Sequence, residues 1–375
     1  MAVSLVSTGV TFPDNSTQTT AATGFGFKNR IINGAMVIDQ RNAGASFTRN
    51  ETNNVYTLDR WNTRAEASDG VYTVQRVVDG PSGFINSLKV TVTTADASLG
   101  AGQVYTLNQA IEGFNIADLN WGATAASAGK TAQAITVSFW VKSTLTGSFG
   151  ASIYNGSSNR SYPFLYTISA ANTWEQKSVT IAGDTSGTWA TDNSAGLYVN
   201  FAIGTGSNEL GTVNTWSGAL YRGASGQTQI ISTLNATWQV TGVQLEKGST
   251  ATSFDYRPYG TELSLCQRYA VRYAGVNVYD CVGIGYGVTA TSGDFPIYLP
   301  VQMRTQPAVT SSGAFTVADG GGGGGSASAI NISTNQATTT NGFINVTCSG
   351  LTAGRAYKLI ANNTTSASLI YSAEL

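Results

Sequence analysis

Apolar and polar residues alternate along this chain in short runs broken by Gly, Asn and Ser, and that period of two predicts strands rather than helices. Ten such runs fall between residues 28 and 258: 35–39, 60–65, 72–77, 87–92, 104–110, 134–143, 150–154, 174–181, 197–203 and 237–246. A single helical turn is expected over 116–121. In the last of these runs Trp238, Val240 and Gly242 are expected on one face and Gln239, Thr241 and Val243 on the other, a pattern that suits a sheet edge. Pro258 and Gly260 then interrupt SFDYRPYG, so residues 254–262 read as a joint between two β units. Beyond it, FINVTCSGLTAGRAYKLIANN reads as two strands around a Gly-containing turn, and ASLIYSAEL as a final strand.

Composition supports an all-β chain. Charged residues make up 11% of the 375, under half the usual share, while hydrophobic residues reach 42% and Gly outnumbers Pro by 43 to 7. Three segments are expected: 1–27, too poor in apolar residues to form a core; 28–258, a β-sandwich; and 259–375, a smaller sandwich-like β unit. Within the last, Asp319 leads into Gly320–Gly325, whose backbone entropy makes it a loop.

Charge and hydropathy exclude several partners. A net charge of −1 gives no footprint for nucleic acid and no basic patch for a membrane surface. No apolar run approaches the roughly 20 residues that span a bilayer. The opening MAVSLVSTGV lacks a basic n-region and makes a poor signal peptide.

Candidate chemistry is narrowed by the absence of histidine, which removes Ser-His-Asp and Cys-His schemes and the usual zinc ligands. The three cysteines, Cys266, Cys281 and Cys348, are too widely spaced for a zinc site or a disulfide framework. They read as small buried hydrophobes, with a Cys266–Cys281 bridge as the alternative. Carboxylate pairs for acid/base work are Asp39 with Asp59, Asp69 with Asp79, and Asp184 with Asp192, each beside turn or cap residues that suit structural roles. The glycines around Gly24, Gly26, Gly283, Gly285 and Gly287 lack the Lys-Ser/Thr and the helix of a phosphate loop. Trp61, Trp140 and Trp238 are expected in the core. Tyr154, Tyr162, Trp189 and Trp216, on expected loops beside Asn, Arg and Ser, combine flat apolar faces with hydrogen-bonding neighbours, the pairing that saccharides need; packing is their alternative role.

Several stretches resemble known virion proteins. Trp238–Tyr269 resembles the domain junction of tailed-bacteriophage tail-fibre and spike proteins, VTFPDNSTQTTAA at 10–22 resembles the repeats of their stalks, and IYLPVQMRTQPAVT at 297–310 resembles an element of their tips. NRIINGAMVIDQRNAG at 29–44 resembles the opening strand of carbohydrate-binding jelly rolls, and VSFWVKS, TWEQKSVTIAGD and WQVTGVQLE follow in the order of that fold. The resemblance implies a jelly roll in 28–258 and a homotrimeric fibre or spike on the phage particle, on its tail foremost. It would join other tail or virion proteins through residues 1–27 and act as a non-catalytic adhesin for a host surface glycan. It also implies a structural Ca²⁺, for which Asp39 and Glu246 are the candidate ligands, although Thr241 and Gly242 stand where the family carries aspartates. The competing expectations are a purely structural virion component, such as a head decoration or tail connector, and a capsule-degrading glycan hydrolase, for which the β-helix repeats are missing.

Overall fold

The computed structural model describes residues 27–320, 325 and 338–375, together with the short strands Ser4–Val6, Gly9–Thr11, Thr17–Gln18 and Ala329–Ile332. The attachment role expected of residues 1–27 and most of the six-glycine loop therefore lie outside the described residues.

The chain forms a β-sandwich of two six-stranded antiparallel sheets. The first runs, in spatial order, Glu175–Ile181, Ile135–Ser143, Thr237–Lys247, Ser87–Thr94, Val71–Val77 and Phe47–Arg49. The second runs Ser161–Ile168, Gly147–Asn155, Ala195–Thr205, Val104–Glu112, Trp61–Ala65 and Asn54–Leu58. Alternation sends Val137, Phe139 and Val141 inward from one sheet to meet Val199, Phe201 and Ile153 from the other. Phe201 sits at the centre, its ring 5.0 Å from Phe139 and 5.4 Å from Trp238. The Trp238 indole N–H donates to the Tyr166 hydroxyl at 3.0 Å, so the largest side chain of this core leaves no buried donor unpaired.

Four expectations need correcting. Thr237–Lys247 is an interior strand, paired on both sides. A bulge opposite Ser138 and Trp140 includes Gly242, whose φ of +59° a side chain rarely adopts, and it shifts the alternation so that Val243 joins Trp238 and Val240 in the core. Trp140 is half-buried, because Phe139 and Val141 take the inward positions of its strand. Residues 35–39 form no strand. That segment is mostly buried, and a side chain supplies a partner: Asn33 bonds Ile38 in both directions, at 2.8 and 2.9 Å, while just upstream Gln109 does the same for Ile32, at 2.8 Å each way. Last, the joint contains a helix, Tyr259–Gln267. Pro258 directly precedes it, where a missing N–H costs nothing, and Gly260 falls in its exposed first turn. Glu262 anchors the helix through Arg257 at 3.2 Å and the Asn33 amide.

After the helix, a three-stranded sheet (Ala270–Tyr273, Ser368–Ser372, Ala308–Ser312) packs on a six-stranded one, ordered Phe315–Ala318, Ala356–Ala361, Cys281–Gly287, Ser292–Tyr298, Asn341–Thr347 and Ala329–Ile332. The two strands read in 341–361 do not pair with each other; Cys281–Gly287 and Ser292–Tyr298 separate them. Gly283 and Gly285 face inward, where an added Cβ would come within 2.8 and 2.7 Å of Ile297 and Phe295 side-chain atoms.

Between the two cores lies a buried ionic joint. Arg60, 1% exposed, pairs with Glu374 and stacks 3.5 Å over the Tyr269 ring, while Arg41 reaches Glu374 at 2.8 Å. Glu112 accepts from Arg268 at 2.7 and 2.9 Å and from the Tyr269 hydroxyl at 2.5 Å. Asp59 accepts from the Gln40 backbone and side chain, each at 2.6 Å, and burial raises its carboxyl to about 6 against the opposing pull of Arg41. The cysteines are free; Cys266 and Cys348 are buried as expected, but Cys281 is exposed.

Candidate functional site

The outward face of the second sheet is polar. Where Leu197, Val199 and Phe201 point into the core, Tyr198 and Asn200 between them point out. Strand register aligns Ser152, Asn200, Asn108 and Asn62 in one row and Tyr154 and Tyr198 in the next. The two tyrosine rings stack at 4.6 Å with planes 13° apart. Arg222 crosses above this face, held by Glu209 at 2.8 Å, and its carbonyl accepts from the Asn200 amide at 2.7 Å. At the opposite end the Tyr56 hydroxyl donates to the Leu375 carbonyl at 2.8 Å.

These elements enclose a groove of about 110 Å³ lined by Asn62, Asn108, Tyr154, Tyr198, Arg64 and Arg222, among others. Burial, then the neighbouring Tyr198, pushes the Tyr154 hydroxyl well above its ordinary range, so it is a neutral hydrogen-bonding group. Asn62 and Asn108 are 5% and 4% exposed, and among the described residues their side-chain amides have no hydrogen-bond partner. Neither carries a polar atom that is both fully buried and unpartnered, so both amides open to the groove, where water or a ligand can answer them. Two of them side by side on a groove floor give a pair of donors and a pair of acceptors set for a polar ligand.

Of the four aromatic candidates, Tyr162, Trp189 and Trp216 come together, and Tyr154 lies in the groove instead. Trp189 and Trp216 are in connecting segments, but Tyr154 and Tyr162 are in strands, contrary to expectation. The trio shares a knot with Trp121, which sequence reasoning missed: Trp121 lies 4.7 Å from Trp189 and 5.5 Å from Trp216, and Tyr162 5.2 Å from Trp216. Each indole N–H is already engaged, Trp121 with the Gln133 carbonyl, Trp189 with Asp184 and Trp216 with the Ala182 carbonyl, at 2.7, 3.1 and 2.9 Å. Asp184 also clamps Arg160 through two bonds of 2.8 and 2.7 Å, setting its guanidinium 5.8 Å from the Trp216 ring. Trp121 and Trp189 are buried by this packing, which leaves the half-buried Tyr162 and Trp216 as the accessible rim.

The acids follow local bonds. Asp39 accepts from the Asn42 and Gly44 amides at 3.0 and 2.6 Å, and Glu246 from Gln244 and Thr252 at 2.9 and 2.8 Å. The two share no partner, and no cluster of three or more metal-ligating side chains occurs among the described residues. In the proposed carboxylate pairs, Asp184 binds Arg160, Asp79 binds Lys142, Asp69 binds Gln103, and Asp192 binds Ser194. A larger cavity, about 570 Å³, opens between Phe27, Arg30, Phe114 and Arg257. Its charges are spent internally, Arg30 on Asp118 and Arg257 on Glu262.

The sequence matches no family model and no curated protein. Among solved structures, the chain is similar to a putative sugar-binding protein from Bacteroides thetaiotaomicron, at 13% identity over 59% of this chain and 100% of that one, TM-score 0.34. It is similar to the enzymatically active domain of Bacteriophage CBA120 tailspike protein 4, at 13% identity over 58% of this chain, TM-score 0.28; the match spans 21% of that tailspike chain. A xylan-binding domain from Paenibacillus barcinonensis is similar at 11% identity, over 56% of this chain and 99% of that one, TM-score 0.23.

Proposed function

We propose that this chain is a non-catalytic, glycan-binding adhesin of a virion, a homotrimeric fibre or spike of a tailed phage. In this reading residues 1–27 attach it to other virion proteins, 28–258 carry the glycan site, and 259–375 form the distal unit. The observation that carries it is the pair of unpartnered amides, Asn62 and Asn108, on the floor of a groove walled by Tyr154, Tyr198, Arg64 and Arg222. A sugar hydroxyl both donates and accepts, and a planar amide answers both. Weak sites of this kind gain roughly 10²–10⁴ in avidity when several copies engage one surface. The half-buried Tyr162 and Trp216 form a second, smaller contact area.

The test is binding of the purified chain to host-surface polysaccharide, read beside urea unfolding. Asn62→Ala with Asn108→Ala should weaken binding at least tenfold while stability changes by less than about 0.5 kcal/mol, because no internal bond is lost. Unchanged binding sinks the groove as the site, and a large loss of stability makes both amides structural. Release of reducing sugar from the polysaccharide refutes the non-catalytic half. Sedimentation of the full chain should give three times 39.1 kDa.

A further inference from the structure

Of the fourteen large hydrophobic side chains exposed among the described residues, seven lie between Val276 and Tyr298. Patches of this density mark contact surfaces. Three of the seven, Ile284, Tyr286 and Tyr298, lie on the outward face of the six-stranded sheet of the C-terminal region, and the other four in the segments that flank its strands. Its inward face packs against the three-stranded sheet through Phe295, Ile297, Leu359 and Tyr371. Its outward face carries Ile284 at 67% exposure, Tyr286 at 48% and Tyr298 at 79%, with Pro296 exposed and Ile360 half-buried beside them. We propose that copies of this chain pack against one another through this face.

Two observations favour a second copy over another occupant. The face is self-complementary in charge: among the outward positions of its described strands only Lys358 and Asp294 are charged, one of each sign, opposite Ile284 and Tyr286 respectively. A rotated copy can set Lys358 against Asp294 across the apolar strip. The area also suffices. Its six strands, of four to seven residues each, present roughly 550 Å² per copy at about 3.3 Å per residue and about 4.8 Å spacing, or about 1,100 Å² in total, against the ~1,000 Å² a specific interface needs. A saccharide fits less well, since the strip is apolar and Asn345 already donates to Asp294 at 2.7 Å.

This inference rests on the reading that copies of the chain assemble and names a face for it. A self-complementary face pairs two copies about a twofold axis, whereas a threefold contact joins different parts of it, and the test separates the face from the copy number. Ile284→Asp with Tyr298→Asp should reduce the sedimenting mass from a multiple of 39.1 kDa to 39.1 kDa with the circular dichroism unchanged. Val78→Asp, at a position 83% exposed on the sandwich, should leave the mass alone. Cys281, the exposed cysteine of the three, pairs with Ile360 at the end of the same face, and a bulky maleimide should label it at least tenfold more slowly in the wild type than in the double variant. Should the double variant misfold, the same labelling during dilution of wild type replaces it, with protection falling as mass falls. A wild-type monomer with rapid Cys281 labelling, or a double variant that stays assembled, overturns the proposal. A dimer abolished by the double variant sustains the face and removes only the threefold count. Glycan binding by the resulting monomer reports on the groove separately.

Discussion

Two six-stranded sheets in this molecule turn opposite characters outward. The second sheet of the sandwich presents Ser152, Asn200, Asn108 and Asn62 in a row, all nearly buried under Arg222 and the last residues of the chain. The C-terminal sheet presents Ile284, Tyr286, Pro296 and Tyr298, and no described residue covers them. Each face inverts the usual arrangement of polar outside and apolar inside. A covered polar face must satisfy its groups internally or through a ligand or water, and here the Asn200 amide nitrogen is bonded while its buried carbonyl oxygen is not, and Asn62 and Asn108 open to the groove instead. A bare apolar face has no such debt, only surface left in water.

The comparison can be broken in four places. The core beneath the polar face should be the most sensitive: Phe201→Ala should cost about 3–5 kcal/mol in urea unfolding, and a smaller loss would show that the sheets repack. At the joint between the regions, burial raises the Asp59 carboxyl from 3.8 to about 6. A carboxyl raised on folding adds stability below its unfolded pKa and loses it as pH rises through the folded one. That shift is worth on the order of 3 kcal/mol between pH 4 and 7, and Asp59→Asn should remove that slope. Comparing the two proteins cancels the groups held below their ordinary range, Glu112 among them. If the slopes match, Asp59 is not the source. On the polar face, Asn200→Ala removes the shorter of two bonds to the Arg222 carbonyl, leaving the Ser152 hydroxyl at 3.4 Å, and should cost about 1 kcal/mol, in contrast to the neutral Asn108→Ala. Smallest of all, Tyr298→Ala in chain diluted to monomer should stay within about 0.5 kcal/mol of wild type, since the residue touches little of its own chain.

Legibility in the sequence divided along physical lines. Nine of the ten sandwich runs became strands because period-two alternation with turn residues is a local signal. The run at 35–39 failed because the Asn33 side chain holds both backbone groups of Ile38, and just upstream of the run Gln109, 77 residues away, holds those of Ile32. Gly242 hid a bulge, so the face assigned to Val243 was reversed; a glycine inside an alternating run was the available clue. The helix after Pro258 was masked by reading proline only as a breaker. The groove was not legible at all. Asn62, Asn108 and Tyr198 lie on three strands, and only the register brings them together, whereas Tyr154 drew notice for being aromatic beside Asn155. Trp121, likewise, joins Trp189 and Trp216 only through folding.

The Arg60–Glu374 pair also sets an order of events. The two residues are 314 positions apart, and Tyr56 and Leu375 are 319 apart. During synthesis the ribosome exposes Arg60 long before its partner exists. Until Tyr269 and Glu374 emerge, Arg60 stays open to water, and the docking that buries it also brings its partner. The joint is therefore completed last, when the C-terminal strand docks, although Arg60 and Tyr56 are among the first residues made. Closing so long a loop is slow, and meanwhile Arg60 and the polar end of the groove stay open. Ribosomes stalled short of residue 374 should hold a sandwich that proteases cut between Asn54 and Ala65, and release of the full chain should protect it.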